Sequence, residues 1–224
     1  MLLSPVACRV LGALAEKRLT TPNQYPLSVA ALQTACNQAS ARDPVMDLSE
    51  SDVQQGLRDL RDEGLARTSP VRGRVARHEH TLDVQLDLNP PAQAVLGVLL
   101  LRGPQTLGEI RTRTERWVSF ADLDAVQAVL DRLADHPFLP LVAELPREPG
   151  RRESRWNHLL GDPEAAPAVT AVAVGSDAQH TDGPPATAGA LTARIEALEE
   201  RVEDLAAQLE ALQAEVAPIL EELT

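Results

Sequence analysis

The chain has few aromatic residues and few cysteines, and both shortages restrict what it can be. Only 2% of its 224 residues are aromatic while 44% are hydrophobic, so its core must consist mainly of Leu, Val, Ala and Ile. The two cysteines, Cys8 and Cys36, lack the Cys-x-x-Cys spacing of zinc and redox motifs. We interpret them as small core residues in a reducing compartment, and not as a disulfide.

Long apolar runs are also missing. A membrane-spanning helix needs about 20 apolar residues. The longest run here, residues 94–101, is interrupted by Gly97 and predicts a buried helix face. The N-terminus, which begins Met1-Leu2-Leu3-Ser4-Pro5, lacks the basic segment, the apolar core and the cleavage site of a signal peptide. The sequence therefore predicts a cytoplasmic protein without membrane association.

Sequence motifs of the common enzyme classes are absent. Gly103-Pro104 and Gly150 are turn glycines, without the Lys-Ser/Thr of a phosphate loop or the spacing of a dinucleotide fingerprint. No Gly-x-Ser-x-Gly occurs, and no Ser or Cys has a recognisable base. We predict a protein that is not an enzyme, with no catalytic residues and no cofactor.

Two histidines, His78 and His80, lie on one face of a predicted strand and could ligate a metal ion. Two histidines alone make a weak zinc site. We favour the alternative, in which they are polar residues of an exposed hairpin, and predict no metal site.

The acidic charge of the chain belongs to its C-terminal part. The net charge is −12, but residues 1–160 contain 19 basic and 20 acidic residues, whereas residues 161–224 contain two arginines and 13 acidic residues. The first 160 residues are therefore close to neutral. Their local charge pattern, and not the overall charge, decides whether they can bind a polyanion.

Capping signals predict three helices in residues 1–87. The predicted helix starts are Ser4 with Pro5, Ser28, and Ser49 with Asp52 in a capping box. Apolar residues recur at helical spacing after each start, and Gly64 ends the third helix. Residues 65–69 and 75–82 then predict two short strands around a basic turn at 70–74.

The same order is predicted again in residues 88–160. The starts of the three helices are Asn89 with Pro90, Thr106 with Glu109, and Ser119 with Asp122. Residues 139–145 and 154–160 predict strands on either side of a turn that contains Gly150. Three helices followed by a hairpin, twice over, is the pattern of two tandem winged-helix domains, a mainly α fold with small β-hairpins. We expect each domain to have its own, separate aliphatic core.

The C-terminal part predicts a linker and a coiled-coil helix. Residues 161–187 are rich in Ala, Pro, Gly and Thr without periodicity, so we expect a flexible linker. Residues 188–224 have heptad spacing, with β-branched and Leu residues alternating in the pattern of a parallel dimer. We predict a homodimer through residues 191–219. An amphipathic helix that folds back on the same chain is the alternative.

Several segments resemble the YceH-like family of bacterial proteins of unassigned function. The segments are Glu16-Lys17 with Thr20-Thr21-Pro22, Tyr25-Pro26-Leu27-Ser28, Ala35-Cys36-Asn37-Gln38, Arg42 with Pro44-Val45, Leu101 to Thr106, and Arg147 to Arg155 with His158-Leu159. Their occurrence in order over residues 3–160 makes the resemblance specific. It implies tandem winged-helix domains, and it implies no activity.

The third helix of each predicted domain is acidic, which disfavours it as a reader of DNA. Residues 49–63 have a net charge of −3, and so do residues 119–135. Phosphate contacts need Lys or Arg, and acidic helices are repelled. Arginines instead cluster at the hairpins, where the alternative to phosphate contact is pairing with nearby glutamates. The candidate nucleic-acid contacts are Arg72, Arg74, Arg77, Arg147, Arg151, Arg152 and Arg155.

Two functions follow from this pattern. The first is a regulatory protein that binds the DNA backbone through its basic hairpins, without reading sequence. The second is a protein-assembly adaptor, without DNA binding, that docks another protein through its acidic third helices and the loop Thr20–Pro26. The candidate protein contacts are Asp59, Asp62 and Tyr25.

Overall fold

The computed structural model describes residues 2–69, 75–147, 150 and 153–161, which form a mostly helical α+β unit. The predicted linker beyond 161 and the predicted coiled-coil helix lie outside these residues. None of the described helices combines the length and the apolarity that a bilayer span requires.

The first half contains three main helices and a pair of strands. Helix α1 is Pro5–Thr20, α2 is Val29–Cys36 and α3 is Glu50–Asp62, with a 3-10 turn at Pro22–Gln24. Strands β1 (Ala66–Ser69) and β2 (Arg77–His80) are antiparallel, and the short helix α4 (Leu82–Gln85) follows. Leu27 bridges to His78, so the segment before α2 lies beside β2.

The second half repeats this order. Helix α5 is Pro90–Arg102, α6 is Leu107–Thr114 and α7 is Leu123–Ala134, and strands β3 (Val142–Leu145) and β4 (Arg155–His158) are antiparallel. Gln105 bridges to Trp156 in the second half as Leu27 does to His78 in the first. The succession of three helices and a strand pair, predicted twice from the sequence, is thus observed twice.

Local capping chemistry explains where the helices begin. Ser4, Ser28, Ser49, Asn89 and Thr106 all accept a backbone N–H of the first turn, as predicted. The start predicted at Ser119 is wrong: Asp122 is the N-cap of α7, and its carboxylate accepts from the Ala125 N–H at 2.8 Å. Asp122 therefore acts as the cap itself, and not as the third residue of a capping box.

The two halves share one hydrophobic core, which corrects the expectation of two separate cores. The buried apolar side chains form a single cluster that includes residues of both halves. Helices α1 and α5 pack against each other at its centre, and each has ten consecutive buried residues, 7–16 and 92–101. A helix buried on all sides has no solvent face, and this is why neither helix is strongly amphipathic.

Two glycines lie where α1 and α5 approach their neighbours closely. A Cβ atom on Gly12 would lie 2.8 Å from Leu101 Cγ, and one on Gly97 would lie 2.6 Å from Trp117 Cζ3. Gly12 is seven residues after Pro5, and Gly97 is seven residues after Pro90. The repeat therefore places a glycine at the same position of both central helices.

Candidate nucleic-acid interface

The outer face of α3 carries two rows of side chains with different charge. Its inner face is apolar, with Val53, Leu57 and Leu60 buried. The solvent side has one row at Gln54, Arg58 and Arg61, and a second row at Gln55, Asp59 and Asp62, each at the i, i+4, i+7 spacing of one helix face. The net charge of −3 therefore conceals a separation of charge across the helix.

The basic row of α3, defined as Gln54, Arg58 and Arg61, borders a shallow groove. Val29 of α2 and His78 of β2 form the opposite side of this groove. Arg58 Nε donates to Gln55 Oε1 at 3.1 Å, so the guanidinium is held along the helix. Neither Arg58 nor Arg61 pairs with a carboxylate among the described residues. Both guanidinium groups are thus exposed cations at the edge of a groove.

The first hairpin presents arginines on its outer face. Arg67 pairs with Glu79 across the strands, with Arg67 Nε and Glu79 Oε1 2.8 Å apart. Arg77 is exposed, and its Nη1 donates to the Pro26 carbonyl at 2.9 Å. Arg77 is the one described member of the predicted contacts on this hairpin, since Arg72 and Arg74 lie outside the described residues. The structure therefore supports an accessible cation here.

His78 and His80 lie on the inner face of the same hairpin, so the expectation of exposed polar residues is wrong for both. They are 7% and 2% exposed. His80 Nδ1 accepts from the Leu82 N–H at 3.2 Å, and burial, reinforced by the charge of Arg18, lowers the pKa of His80 to about 4. Burial also lowers the pKa of His78, with a smaller contribution from the charge of Arg61. Both rings are therefore neutral near pH 7.

No group of three or more metal-ligating side chains occurs within the described ranges. On β1, Thr68 is paired with His78 and Ala66 is paired with His80, and neither residue supplies a further ligand. In the structure the two histidines are hydrogen-bonded to Leu27, Tyr25 and Leu82.

The three predicted protein contacts differ in exposure and in their hydrogen-bond partners. Asp59 accepts from the Ser4 hydroxyl at 3.3 Å and from Gln55 Nε2 at 2.7 Å, so it lies beside the start of α1. Asp62 is exposed on the same row. Tyr25 is part-buried beside His80, whose backbone N–H donates to the Tyr25 hydroxyl at 2.7 Å. Burial raises the pKa of Tyr25. Tyr25 thus anchors the second hairpin strand, β2.

In the second half the structure describes Arg147 and Arg155, while Arg151 and Arg152 lie outside the described residues. Arg147 is exposed. Arg155 is part-buried: its Nη2 lies 3.9 Å from Glu109 Oε2, and its Nη1 donates to the Pro104 carbonyl at 3.5 Å. Arg155 therefore connects β4 to the start of α6.

Helix α7 occupies the place of α3 in the second half but has no basic row. Its exposed charged residues are Asp124, Asp131 and Arg132. Gln127 Nε2 donates to Asp131 Oδ1 at 2.7 Å. The acidic character predicted from the sequence holds for the surface of α7, whereas α3 carries the basic row in addition to its acidic residues Glu50, Asp52, Asp59 and Asp62.

Sequence reasoning missed the basic row of α3 because it summed charges over the helix. Arg58 and Arg61 entered that sum only as two cations against five acidic residues. Arg58 and Arg61 are three residues apart, and each directly follows a buried position, 57 or 60. This spacing would have placed both on one side of the outer face.

Comparison with known proteins finds a family and its members. The model of a family described as "Protein of unknown function, DUF480" matches residues 3–151. A UPF0502 protein of Geotalea uraniireducens is 52% identical over 165 residues, which is 73% of this chain and 75% of that protein. A UPF0502 protein of Acidovorax is 46% identical over 198 residues, covering 87% and 85% of the two chains. The resemblance to an uncharacterised bacterial family is confirmed.

Proposed function

The chain belongs to the DUF480 family of proteins of unknown function, and we propose that it is a non-enzymatic regulatory protein that associates with DNA through two winged-helix domains. The order of elements in each half supports this proposal. Three helices precede an antiparallel strand pair, and an isolated β-bridge joins the segment before the second helix to the second strand of that pair. In such domains the third helix enters the major groove and the hairpin contacts the backbone.

The basic row of α3 is the observation that carries this proposal. Gln54, Arg58 and Arg61 project from the helix that would enter the groove, and neither arginine is neutralised by a carboxylate among the described residues. Arginines of this kind contact phosphates or the edges of guanine. The exposed Arg77 and Arg147 extend the positive surface to the hairpins.

The two halves would contribute unequally to DNA binding. Helix α7 presents Asp124 and Asp131, which phosphates repel. In this proposal α3 makes the groove contacts, and the second half contributes through its hairpin. The hairpin residues Arg72, Arg74, Arg151 and Arg152 stay predicted phosphate contacts.

Paired variants of α3 test the proposal by salt titration of binding to duplex DNA. We expect wild-type affinity to fall with added salt, and the double variant Arg58→Gln/Arg61→Gln to bind at least about tenfold more weakly, with a slope of log affinity against log salt reduced by about 2. The control Asp59→Asn/Asp62→Asn changes the adjacent row of the same helix and should bind as well as wild type or better. Absence of salt-dependent binding at low salt would refute the proposal.

The acidic row of α3, Gln55, Asp59 and Asp62, supports a second candidate function, that of a protein-assembly adaptor. Its chemistry suits a basic surface on a partner protein. Charge reversal at Asp59 and Asp62 should then remove a partner that co-purifies from the native cell after nuclease treatment, while Arg58→Gln/Arg61→Gln leaves it bound. Partners that disappear with the nucleic acid favour the DNA-associated function instead.

A further inference from the structure

A cleft opens between the two halves on the side of the molecule where residues 3 and 161 meet. Its volume is about 330 Å³. Leu3 N–H donates to the Leu160 carbonyl at 2.7 Å, and Asp43 N–H donates to the Leu101 carbonyl at 2.9 Å, so both halves are fixed beside the cleft. The wall comes from the start of α1, the α2–α3 loop, the end of α5 and the second strand pair.

The cleft is lined mainly by apolar side chains. The apolar lining includes Leu2, Leu3, Met46, Leu100 and Leu145. The volume lies at the lower end of the range of about 300–1,000 Å³ that small-molecule sites have, and apolar walls with a few polar groups are typical of such sites. The size suits a compact organic molecule of one or two rings.

Arg9 is a buried cation of the cleft wall that has no ion-pair partner among the described residues. It is only 2% exposed. Its Nη1 donates to the Cys36 carbonyl at 3.1 Å and its Nη2 donates to the Pro44 carbonyl, while its Nε is buried without an acceptor among the described residues. Burial, and then the positive charge of Arg42, lowers the pKa of Arg9. A buried cation held only by neutral carbonyls favours a nearby anion.

Arg42, the second buried arginine of this half, is neutralised by a carboxylate and serves as the comparison for Arg9. Arg42 Nη2 lies 2.6 Å from Glu16 Oε2, and Arg42 also donates to the Ala35 carbonyl. No carboxylate of a described residue lies within ion-pair distance of Arg9. Asp43, exposed on the rim of the cleft, favours the charged form of Arg9 only through space.

Two further polar groups of the wall have buried atoms without a partner in the described part of the chain. They are Asn157 Oδ1 and His158 Nδ1. Burial lowers the pKa of His158 to about 4, so its ring is neutral near pH 7 and adds no positive charge. Arg9 is therefore the one cation in the described wall of the cleft that can attract an anionic group.

We propose that this cleft binds a small apolar monocarboxylate, with its hydrocarbon part against Leu100 and Leu145 and its carboxylate beside Arg9. The ligand would neutralise a buried cation and fill an apolar space at once. Because the wall is shared by both halves, the bound ligand stabilises their packing against each other. This inference does not depend on DNA binding.

Calorimetric titration with two matched probes, 2-naphthoate and its uncharged amide, tests the inference on the full-length protein. We expect naphthoate to bind at one site, at least about tenfold more tightly than the amide, because only the acid supplies an anion for Arg9. The variant Arg9→Met should remove this preference while both probes keep the apolar contact.

Two leucine variants test whether the probe occupies this cleft. Leu159 lines the cleft and is 41% exposed, whereas Leu123 on α7 is 43% exposed and lies outside it. Leu159→Trp should weaken naphthoate binding at least about tenfold by filling the space, and Leu123→Trp should leave it unchanged. No binding at millimolar probe, equal affinity for acid and amide, or binding that survives Leu159→Trp would each overturn the proposal.

Discussion

The buried ion pair of Glu16 and Arg42 ties α1 to the loop after α2. Their side chains are 9% and 0% exposed, and the Arg42 guanidinium also donates to the Ala35 carbonyl and to Gln38 Oε1. Burial alone would raise the pKa of Glu16, but the hydrogen bonds and charge of Arg42, with the charge of Lys17, lower it. The carboxylate is therefore ionised near pH 7 and compensates the guanidinium.

We expect Glu16→Gln to lower the free energy of unfolding by about 3–5 kcal/mol, because it leaves a buried guanidinium without its charge partner. The control is Asp83→Asn, which breaks the bidentate pair of Arg18 and Asp83 at 2.7 Å, whose side chains are 36% and 35% exposed. That pair should contribute at most about 1 kcal/mol. Urea denaturation of both variants measures the difference, and equal losses would contradict the role of burial.

His78 and His80 show what sequence could not predict about single side chains. Alternation along β2 correctly indicates that the two share a face of the strand, because side chains point to opposite faces with a period of two. It does not indicate which face is covered. Tyr25 packs beside His80 and Leu27 bridges to His78, so both covering residues come from a loop about 50 positions away. Only the tertiary arrangement determines that burial.

Helices α1 and α5 occupy corresponding positions in the two halves, and they also pack against each other. Each has a capping residue followed by proline at its first position, and each has a glycine seven residues after that proline. Gly12 faces Leu101, and Gly97 faces Trp117. Because glycine has no side chain, neighbouring residues can pack closely against both central helices at these positions.

Gly12→Ala should lower the free energy of unfolding by about 1–2 kcal/mol. The new Cβ would lie 2.8 Å from Leu101 Cγ, and Leu101 is itself buried. Overpacking costs about 1–3 kcal/mol, and the better helix propensity of Ala offsets up to about 1 kcal/mol of this. The control is Gly108→Ala in α6, where nothing lies within 4 Å of the new Cβ. Thermal denaturation should show this control unchanged or stabilised by up to about 1 kcal/mol, and a stabilised Gly12→Ala would contradict the close approach.

Helices were more predictable than strands because their signals are local. A capping side chain bonds to the first turn of its own helix, so five of the six main starts follow from the residues at that point. Each observed strand has only four residues, fewer than the strands predicted at 65–69, 75–82, 139–145 and 154–160. Pairing across the hairpin, and not the run of residues itself, determines where a strand ends.

The shared core makes the two halves one structural unit over the described residues. The buried cluster runs from Leu3 to Leu160, and the hydrogen bonds of Leu3 with Leu160 and of Asp43 with Leu101 connect the halves directly. The sequence repeat predicted two similar halves correctly. The prediction of separate cores was wrong. Apolar residues on a second face of α1 and α5 have no periodicity that tells which part of the chain packs against that face.

We expect the halves to unfold together. Leu32→Ala removes a fully buried side chain of α2 in the first half and should lower the free energy of unfolding by about 2–5 kcal/mol. Both tryptophans of the chain, Trp117 and Trp156, belong to the second half, so their fluorescence reports a region that Leu32 does not occupy.

With a shared core, the fluorescence transition in urea should move to lower denaturant together with the helical circular dichroism, and the two should coincide in wild type and variant. Leu133→Ala, a buried site on α7, serves as the matched variant in the second half and should move both signals in the same way. If the fluorescence transition stayed in place in Leu32→Ala while the circular dichroism became biphasic, the halves would be independent domains. The packing of α1 against α5 would then contribute little to stability.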